Sequence, residues 1–163
     1  MHVIVLFGLP GAGKTFVGEV LKEDFGFYLY DGDSSLSEEM KLAIQQKEAI
    51  TDEMRDVFFQ DIIKTTRQLT AKYKKIVVAQ TFIKEKYRTL FLQTIPEAKF
   101  ILVQTSEKIR EARLTQRKDY PLDVAYARKM SSNFDVPHIA YTTIDNTSEG
   151  KENIQKQLQA LLR

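Results

Sequence analysis

Apolar residues in this chain follow two alternating rhythms. Five short runs are almost continuously apolar, β-branched or aromatic: His2-Val3-Ile4-Val5-Leu6-Phe7, Phe27-Tyr28-Leu29-Tyr30, Ile76-Val77-Val78-Ala79, Phe100-Ile101-Leu102-Val103 and Tyr141-Thr142-Thr143-Ile144. Runs of that kind suit strands covered on both faces. Between them the apolar positions recur at helical spacing. Val17, Val20 and Leu21 share a face after the first run, and Ser34 to Lys47 reads as a short helix. A longer helix starts at Thr51-Asp52-Glu53, where a hydroxyl and two acids suit an N-terminus. Its stripe is Met54, Phe58, Ile62 and Leu69, widened by Phe59 and Ile63. A helix over about 84–94 turns Tyr87, Leu90 and Phe91 inward and stops before Pro96. Glu107 to about Arg117 forms another, Asp119-Tyr120-Pro121 interrupts it, and residues 122–132 resume helically. The last helix is expected to cap at Ser148 and to bury Ile154, Leu158, Leu161 and Leu162. Strand and helix in alternation predict an α/β protein with a parallel sheet between two helical layers, in one domain over residues 1–163.

One turn in this pattern carries chemistry. Directly after the first strand stands Gly8-Leu9-Pro10-Gly11-Ala12-Gly13-Lys14-Thr15, followed by Phe16 and the first helix. This is the phosphate-binding pattern G-x-x-x-x-G-K-[ST] in the strand-turn-helix context that gives it meaning. Its glycines let backbone N–H groups face a triphosphate, and the helix N-terminus adds partial positive charge. Lys14 is placed to reach the β- and γ-phosphates, and the Thr15 hydroxyl to help hold Mg²⁺. The segment Gly8, Pro10, Gly11, Ala12, Gly13, Lys14, Thr15 and Phe16 is therefore the expected nucleotide site.

Further candidates lie where the strands end. Asp31-Gly32-Asp33 follows the second strand, on the edge where open α/β sheets bind ligands. Both acids face one cleft only if the chain bends at Gly32. One would then hold Mg²⁺ through water and the other accept a hydrogen bond from a hydroxyl being phosphorylated. Arg55 borders the apolar stripe of the long helix and suits a substrate carboxylate. Lys84 and Arg88 are four apart after the third strand and are expected on one face, beside Gln80-Thr81. Arg110, Arg113 and Arg117 recur at helical spacing. Arg117, next to the break, is the candidate for stabilising charge on the γ-phosphate from a closing lid around 117–122, while Arg113 is assigned to the nucleotide base. Phe58, Phe59, Phe82, Phe91 and Phe100 are read as core.

Composition narrows the class only a little. With 24 basic and 22 acidic residues the formal net charge is +2, spread along the chain, so no basic stripe favours nucleic acid. There is no cysteine for disulfide or thiolate chemistry, and His2 and His138 lack partners at zinc-binding spacing. The N-terminus enters a strand without a signal-like stretch, and no apolar run reaches membrane-spanning length; a cytoplasmic location is expected. No N-K-x-D sequence appears, and the third and fourth strands run into Gln80 and Gln104 rather than an acid.

Taken in order, these segments resemble the small P-loop kinases, most of all gluconate kinase, with shikimate kinase as a relative. The resemblance rests on the P-loop, on Asp31-Gly32-Asp33 at family spacing, and on Glu48-Ala49-Ile50-Thr51-Asp52-Glu53-Met54-Arg55, which is similar to G-x-P-L-x-D-x-D-R. Gln80-Thr81-Phe82-Ile83-Lys84-Glu85-Lys86-Tyr87-Arg88 resembles S-A-L-K-x-x-Y-R, and residues 109–118 resemble the helix leading into the lid. The chain departs from the pattern at Ser34-Ser35-Leu36-Ser37, at Phe82 and at Asp119-Tyr120. The resemblance implies a nucleoside-monophosphate-kinase-like P-loop NTPase fold with a five-stranded parallel sheet of order 2-3-1-4-5. It implies an ATP- and Mg²⁺-dependent kinase acting on a hydroxyl of a small anionic metabolite, with a gluconate-like sugar acid favoured. Asp33 would stand nearest the acceptor hydroxyl and Asp31 would support the magnesium. Arg55, Lys84 and Arg88 would face the acceptor, Arg117 would act from the lid, and the loop Asp145-Asn146-Thr147 would lie against adenine. Related kinases are often dimers, so a homodimer is compatible. Two alternatives stay open on the residues alone: a nucleotide or nucleic-acid 5′-end kinase, and a non-catalytic ATP-binding switch.

Overall fold

A computed structural model describes residues 2–117 and 123–163. The elements run β1 (His2–Phe7), α1 (Lys14–Phe25), β2 (Tyr28–Asp31), a 3₁₀ turn (Gly32–Ser35), α2 (Glu38–Gln45), α3 (Asp52–Thr70), β3 (Lys75–Ala79), α4 (Glu85–Thr94), β4 (Ala98–Gln104), α5 (Glu107–Gln116), α6 (Val124–Ser132), β5 (Tyr141–Asp145) and α7 (Glu152–Leu161). The strands form one sheet of order β2-β3-β1-β4-β5, with every adjacent pair parallel. This is the α/β fold and strand order that the sequence implied.

The central strand shows why its sequence is apolar throughout. Val3, Val5 and Phe7 of β1 face one layer, against Phe58, Phe59, Ile62 and Ile63 of α3 and Phe91 of α4. Ile4 and Leu6 face the other, against Val17, Val20 and Leu21 of α1 and Ile154 and Leu158 of α7. Side chains alternate across a strand, so two buried faces require an unbroken apolar run. Aromatic edges tie the first layer together: Phe100 packs edge-on against Phe7, Phe82 and Phe91 at 5.5–5.8 Å between centroids.

Local signals set the helix ends, and three differ from expectation. The chain between β2 and α3 is not one helix from Ser34. The 3₁₀ turn ends at Ser35, and Ser37 then caps α2 by accepting from the Met40 N–H at 3.1 Å. A serine oxygen that satisfies a first-turn donor starts a new helix instead of continuing one. The last helix is not capped at Ser148: Gly150 takes a left-handed φ of 79° and α7 begins after Lys151. The first helix starts earlier than expected, at Lys14, because Gly13 at φ 95° is its N-cap. Thr51 caps α3 as predicted, accepting from the Met54 N–H at 3.2 Å. Among the described residues no helix is long and apolar enough to cross a membrane.

Candidate active site

The carboxyl ends of β1, β2 and β3 open into a cleft of about 350 Å³. Its first wall is the β1–α1 turn. Gly11 and Gly13 sit at φ 81° and 95°, in the left-handed region that side chains with a Cβ avoid. Space is as restrictive as angle. A Cβ on Gly11 would stand 2.6 Å from the Arg110 carbonyl oxygen, and one on Gly13 would run into the Asn146 side-chain amide. The turn is thus pressed against α5 on one side and the β5–α7 loop on the other.

Pro10, Gly11, Gly13, Lys14 and Thr15 line the cleft. The Lys14 ammonium arches back over the turn, donating to the carbonyls of Gly8 at 2.9 Å and Leu9 at 3.0 Å. Burial of this cation lowers its pKa to about 8. The carboxylates of Asp33 and Asp31 pull the other way, and Arg117 and Arg110 add to the lowering. The remaining members of the predicted loop have supporting places. Ala12 is buried beneath the turn, Gly8 accepts from Lys14 and donates its N–H to the Thr81 carbonyl at 3.4 Å, and Phe16 is 41% exposed outside the cleft lining.

Arg113 is a brace as well as a lining residue. Its guanidinium donates to the carbonyls of Ala12 at 3.2 Å and Asn146 at 2.8 Å, with a longer contact to Gly11 at 3.4 Å. Asn146, expected beside adenine, is buried outside the cleft lining and donates from Nδ2 to the Ala12 carbonyl at 2.9 Å. Together these two side chains hold the carbonyls of Gly11, Ala12 and Asn146 at the back of the loop.

The two aspartates do converge. β2 ends at Asp31, whose carboxylate accepts from the Asp33 N–H at 3.0 Å, and Gly32 bends the chain into the 3₁₀ turn against Gln80. Asp33 is anchored from β3: Gln80 Nε2 donates to its carboxylate at 3.1 Å, and the Thr81 N–H fixes the amide by donating to Gln80 Oε1 at 2.7 Å. Both carboxylates line the cleft. Burial raises the Asp31 pKa and the Asp33 charge adds to it, against the pull of the Asp33 N–H, Arg117 and Lys14.

Three further predicted cations border the same space. Arg55 reaches it from the first turns of α3 while pairing with the exposed Asp52 at 3.2 Å. Lys84 lines it from just before α4, donating to the Asn133 carbonyl at 3.0 Å and Asp135 at 3.4 Å. Arg117 lines it from the end of α5, and the rest of the expected lid, residues 118–122, lies outside the described residues. Lys14, Arg55, Lys84, Arg113 and Arg117 against Asp31 and Asp33 make the lining net positive, suited to a polyphosphate and an anionic partner. One hydroxyl (Thr15) with adjoining carboxylates matches a hard cation held largely by phosphates and water.

Arg88 does not join these cations. It was expected to face the acceptor with Lys84, but its side chain is wholly buried and does not border the cleft. It donates to the carbonyls of Phe82, Ile83 and Asp135 and pairs with Glu85 at 2.7 Å. The shared-face expectation fails because α4 begins only at Glu85; Lys84 is extended, at φ −101° and ψ 133°. Sequence reading also missed part of the lining. Phe58, Phe59 and Phe82 belong to the core yet line the cleft as well, joined by Tyr87 and by Tyr126 and Met130 from α6. The four-residue spacing of Tyr126 and Met130 was the available signal for the last two.

Comparison with known proteins agrees with this geometry. The AAA domain family matches residues 3–137. A gluconokinase of Arabidopsis thaliana is 24% identical over 144 residues, covering 82% of this chain and 76% of the relative. A shikimate kinase of Moorella thermoacetica is 26% identical over 160 residues, covering 91% and 86%. The crystal structure of a gluconokinase from Sinorhizobium meliloti superposes with a TM-score of 0.83 at 22% identity, over 99% of this chain and 92% of that one, a likeness of fold.

Proposed function

We propose, from the premise that this chain belongs to the AAA domain family, that it is a kinase transferring the γ-phosphate of ATP to a hydroxyl of a small anionic acceptor. The observation that carries the reading is that the P-loop lysine and a braced carboxylate, Lys14 and Asp33, line one cleft. The names of its relatives, gluconokinase and shikimate kinase, describe acceptors that are hydroxylated acids. A gluconate-like sugar acid is the member of that class the sequence resemblance favours.

In this reading the turn's N–H groups and Lys14 hold the β- and γ-phosphates, with the start of α1 adding its partial charge. Thr15 and Asp31 would hold Mg²⁺, which neutralises phosphate charge when bound. Asp33 accepts the proton of the attacking hydroxyl and is kept in place by Gln80. The acceptor oxygen forms a bond to the γ-phosphorus as the bond to the β–γ bridging oxygen breaks, releasing ADP. Arg117 faces the charge that develops on the transferring group. Arg55 and Lys84 hold the acceptor's anion.

ADP release from Mg·ATP across a panel of hydroxylated acids, nucleosides and nucleoside monophosphates tests the proposal. One acceptor class raising release far above the water background supports it. Uniform background across the panel, together with tight ATP binding, counts against it.

A further inference from the structure

Away from the phosphate loop the cleft changes character. Its far side is built from Leu36 in the linker after the 3₁₀ turn, Met40 and Ile44 on α2, Ile50 before α3, Phe58 on α3 and Met130 on α6. Ile44, Tyr126 and Met130 pack with Leu114 and Ala127, so this side is a continuous apolar surface and not a set of isolated side chains. The adjoining wall is aromatic. Phe59 stacks on Tyr87 at 4.3 Å between centroids and 16° between planes, and Phe59 meets Phe82 at 4.9 Å.

Three polar side chains on these walls already have partners, while the Thr81 hydroxyl, which also lines the cleft, has none among the described residues. The Tyr87 hydroxyl donates to Asp56 at 2.6 Å, and the Tyr126 hydroxyl makes a 3.5 Å contact to the Glu48 carbonyl. Gln80 is committed at both ends to Asp33 and Thr81. Beyond the phosphate-loop side, where Lys14, Asp31, Arg113 and Arg117 stand with Asp33, the charged side chains of the lining are Arg55 and Lys84. A polyhydroxylated acid would press several hydroxyls against hydrocarbon, and each unmatched hydroxyl lowers affinity roughly tenfold. An apolar body of the same length meets no such penalty and gains from leaving water.

Resting on the kinase reading above, but departing from the gluconate-like acceptor that the sequence resemblance favours, we infer that the acceptor is a carboxylate with a hydroxyl at one end and an apolar aromatic or aliphatic body between, not a polyol acid. The hydroxyl lies by Asp33, the body between the Phe59–Tyr87 stack and Met40, and the carboxylate by Arg55 and Lys84.

The test compares para-hydroxymethylbenzoate and ω-hydroxyhexanoate with gluconate in two assays: kcat/KM for ADP release at saturating Mg·ATP, and Kd by calorimetry in the presence of a non-hydrolysable ATP analogue. Both apolar acids should exceed gluconate by about a hundredfold, the product of two unmatched hydroxyls. Ile44→Gln should narrow that ratio at least tenfold, with Met40→Gln as an independent check should the first variant fold poorly. Efficient phosphorylation of gluconate with the apolar acids inert overturns the inference while leaving the kinase reading intact. Tight binding of the apolar acids with no transfer to them overturns the inference, because a bound acid that takes no phosphoryl group is not the acceptor, and leaves the kinase reading to the wider acceptor panel. Failure of the apolar acids to bind at all overturns the inference.

Discussion

Arg88 offers the sharpest separation between a structural and a substrate-binding role. Its guanidinium is fully buried and makes four hydrogen bonds. Nε donates to the Phe82 carbonyl at 2.8 Å, Nη1 to Glu85 at 2.7 Å and the Asp135 carbonyl at 2.9 Å, and Nη2 to the Ile83 carbonyl at 3.2 Å. The plane lies over Phe134, 4.6 Å from its centroid. Glu85 extends the network, accepting from the N–H groups of His138 at 2.9 Å and Ile139 at 2.8 Å. Burial alone would raise the Glu85 pKa, yet Arg88 and those two amides hold it below the usual value. Arg88→Met keeps the length of the side chain but strands three carbonyls and a carboxylate. Breaking a buried pair by removing one partner costs about 3–5 kcal/mol. For a chain of this size each kcal/mol moves Tm by about 2–4 °C, so a fall of roughly 6–20 °C is expected. Urea unfolding and thermal melts measure this directly. Glu85→Gln combined with Arg88→Met should cost less than the two single changes added, since the double variant buries no unpaired charge. The reasoning is refuted if Arg88→Met unfolds within about 0.5 kcal/mol of the wild type, the range of an ordinary surface change, while its KM for the acceptor rises.

Three other predictions follow from the cleft. Lys14 has a pKa of about 8 in the folded protein against an ordinary 10.5, so at pH 9 it is mostly neutral; a bound polyphosphate favours the charged form. ATP binding at pH 9 should therefore take up a proton, seen as a buffer-dependent calorimetric enthalpy that disappears in Lys14→Met. By the same sign, this group adds stability as pH rises from about 8 to 10.5, where only the unfolded chain binds the proton. Gly13→Ala should both destabilise the fold and weaken ATP affinity at least tenfold, because φ 95° and the Asn146 amide leave no room for a Cβ; unchanged affinity in a titration would remove the loop from the site. Asp33→Asn should lower kcat by about 10²–10⁴ as expected for loss of a general base, with ATP affinity kept within a few-fold in equilibrium binding.

Much of this was legible in the chain because the relevant physics is local. Val3 to Phe7 had to be apolar at every position to sit between two helical layers, and the glycines at 11 and 13 occupy backbone angles that few other residues accept. What escaped depends on contacts far apart in sequence. Arg88 is satisfied by the Asp135 carbonyl, 47 residues away, and by the carbonyls of Phe82 and Ile83, in a turn where Phe82 takes a positive φ of 50°. No spacing rule reports either fact. Helical spacing itself misled at Lys84, which precedes the helix it was placed on. Phe58, Phe59 and Phe82 were assigned to the core, and they are there. Aromatic residues at the rim of a core also wall the adjoining cleft, and periodicity cannot separate the two roles. Asp31-Gly32-Asp33 shows the reverse: a turn sequence ambiguous by itself gained meaning from Gln80, one residue beyond the next strand.

The most direct measurement of the central claim follows the labelled γ-phosphate of ATP into an acceptor, with wild type and Lys14→Ala compared at equal, verified folding. The account predicts a phosphorylated acceptor from the wild type and at least a hundredfold slower labelling from Lys14→Ala, whose charge on the transferring group is gone. Equal labelling by the two proteins, or tight ATP binding with no acceptor labelled by either, would contradict it.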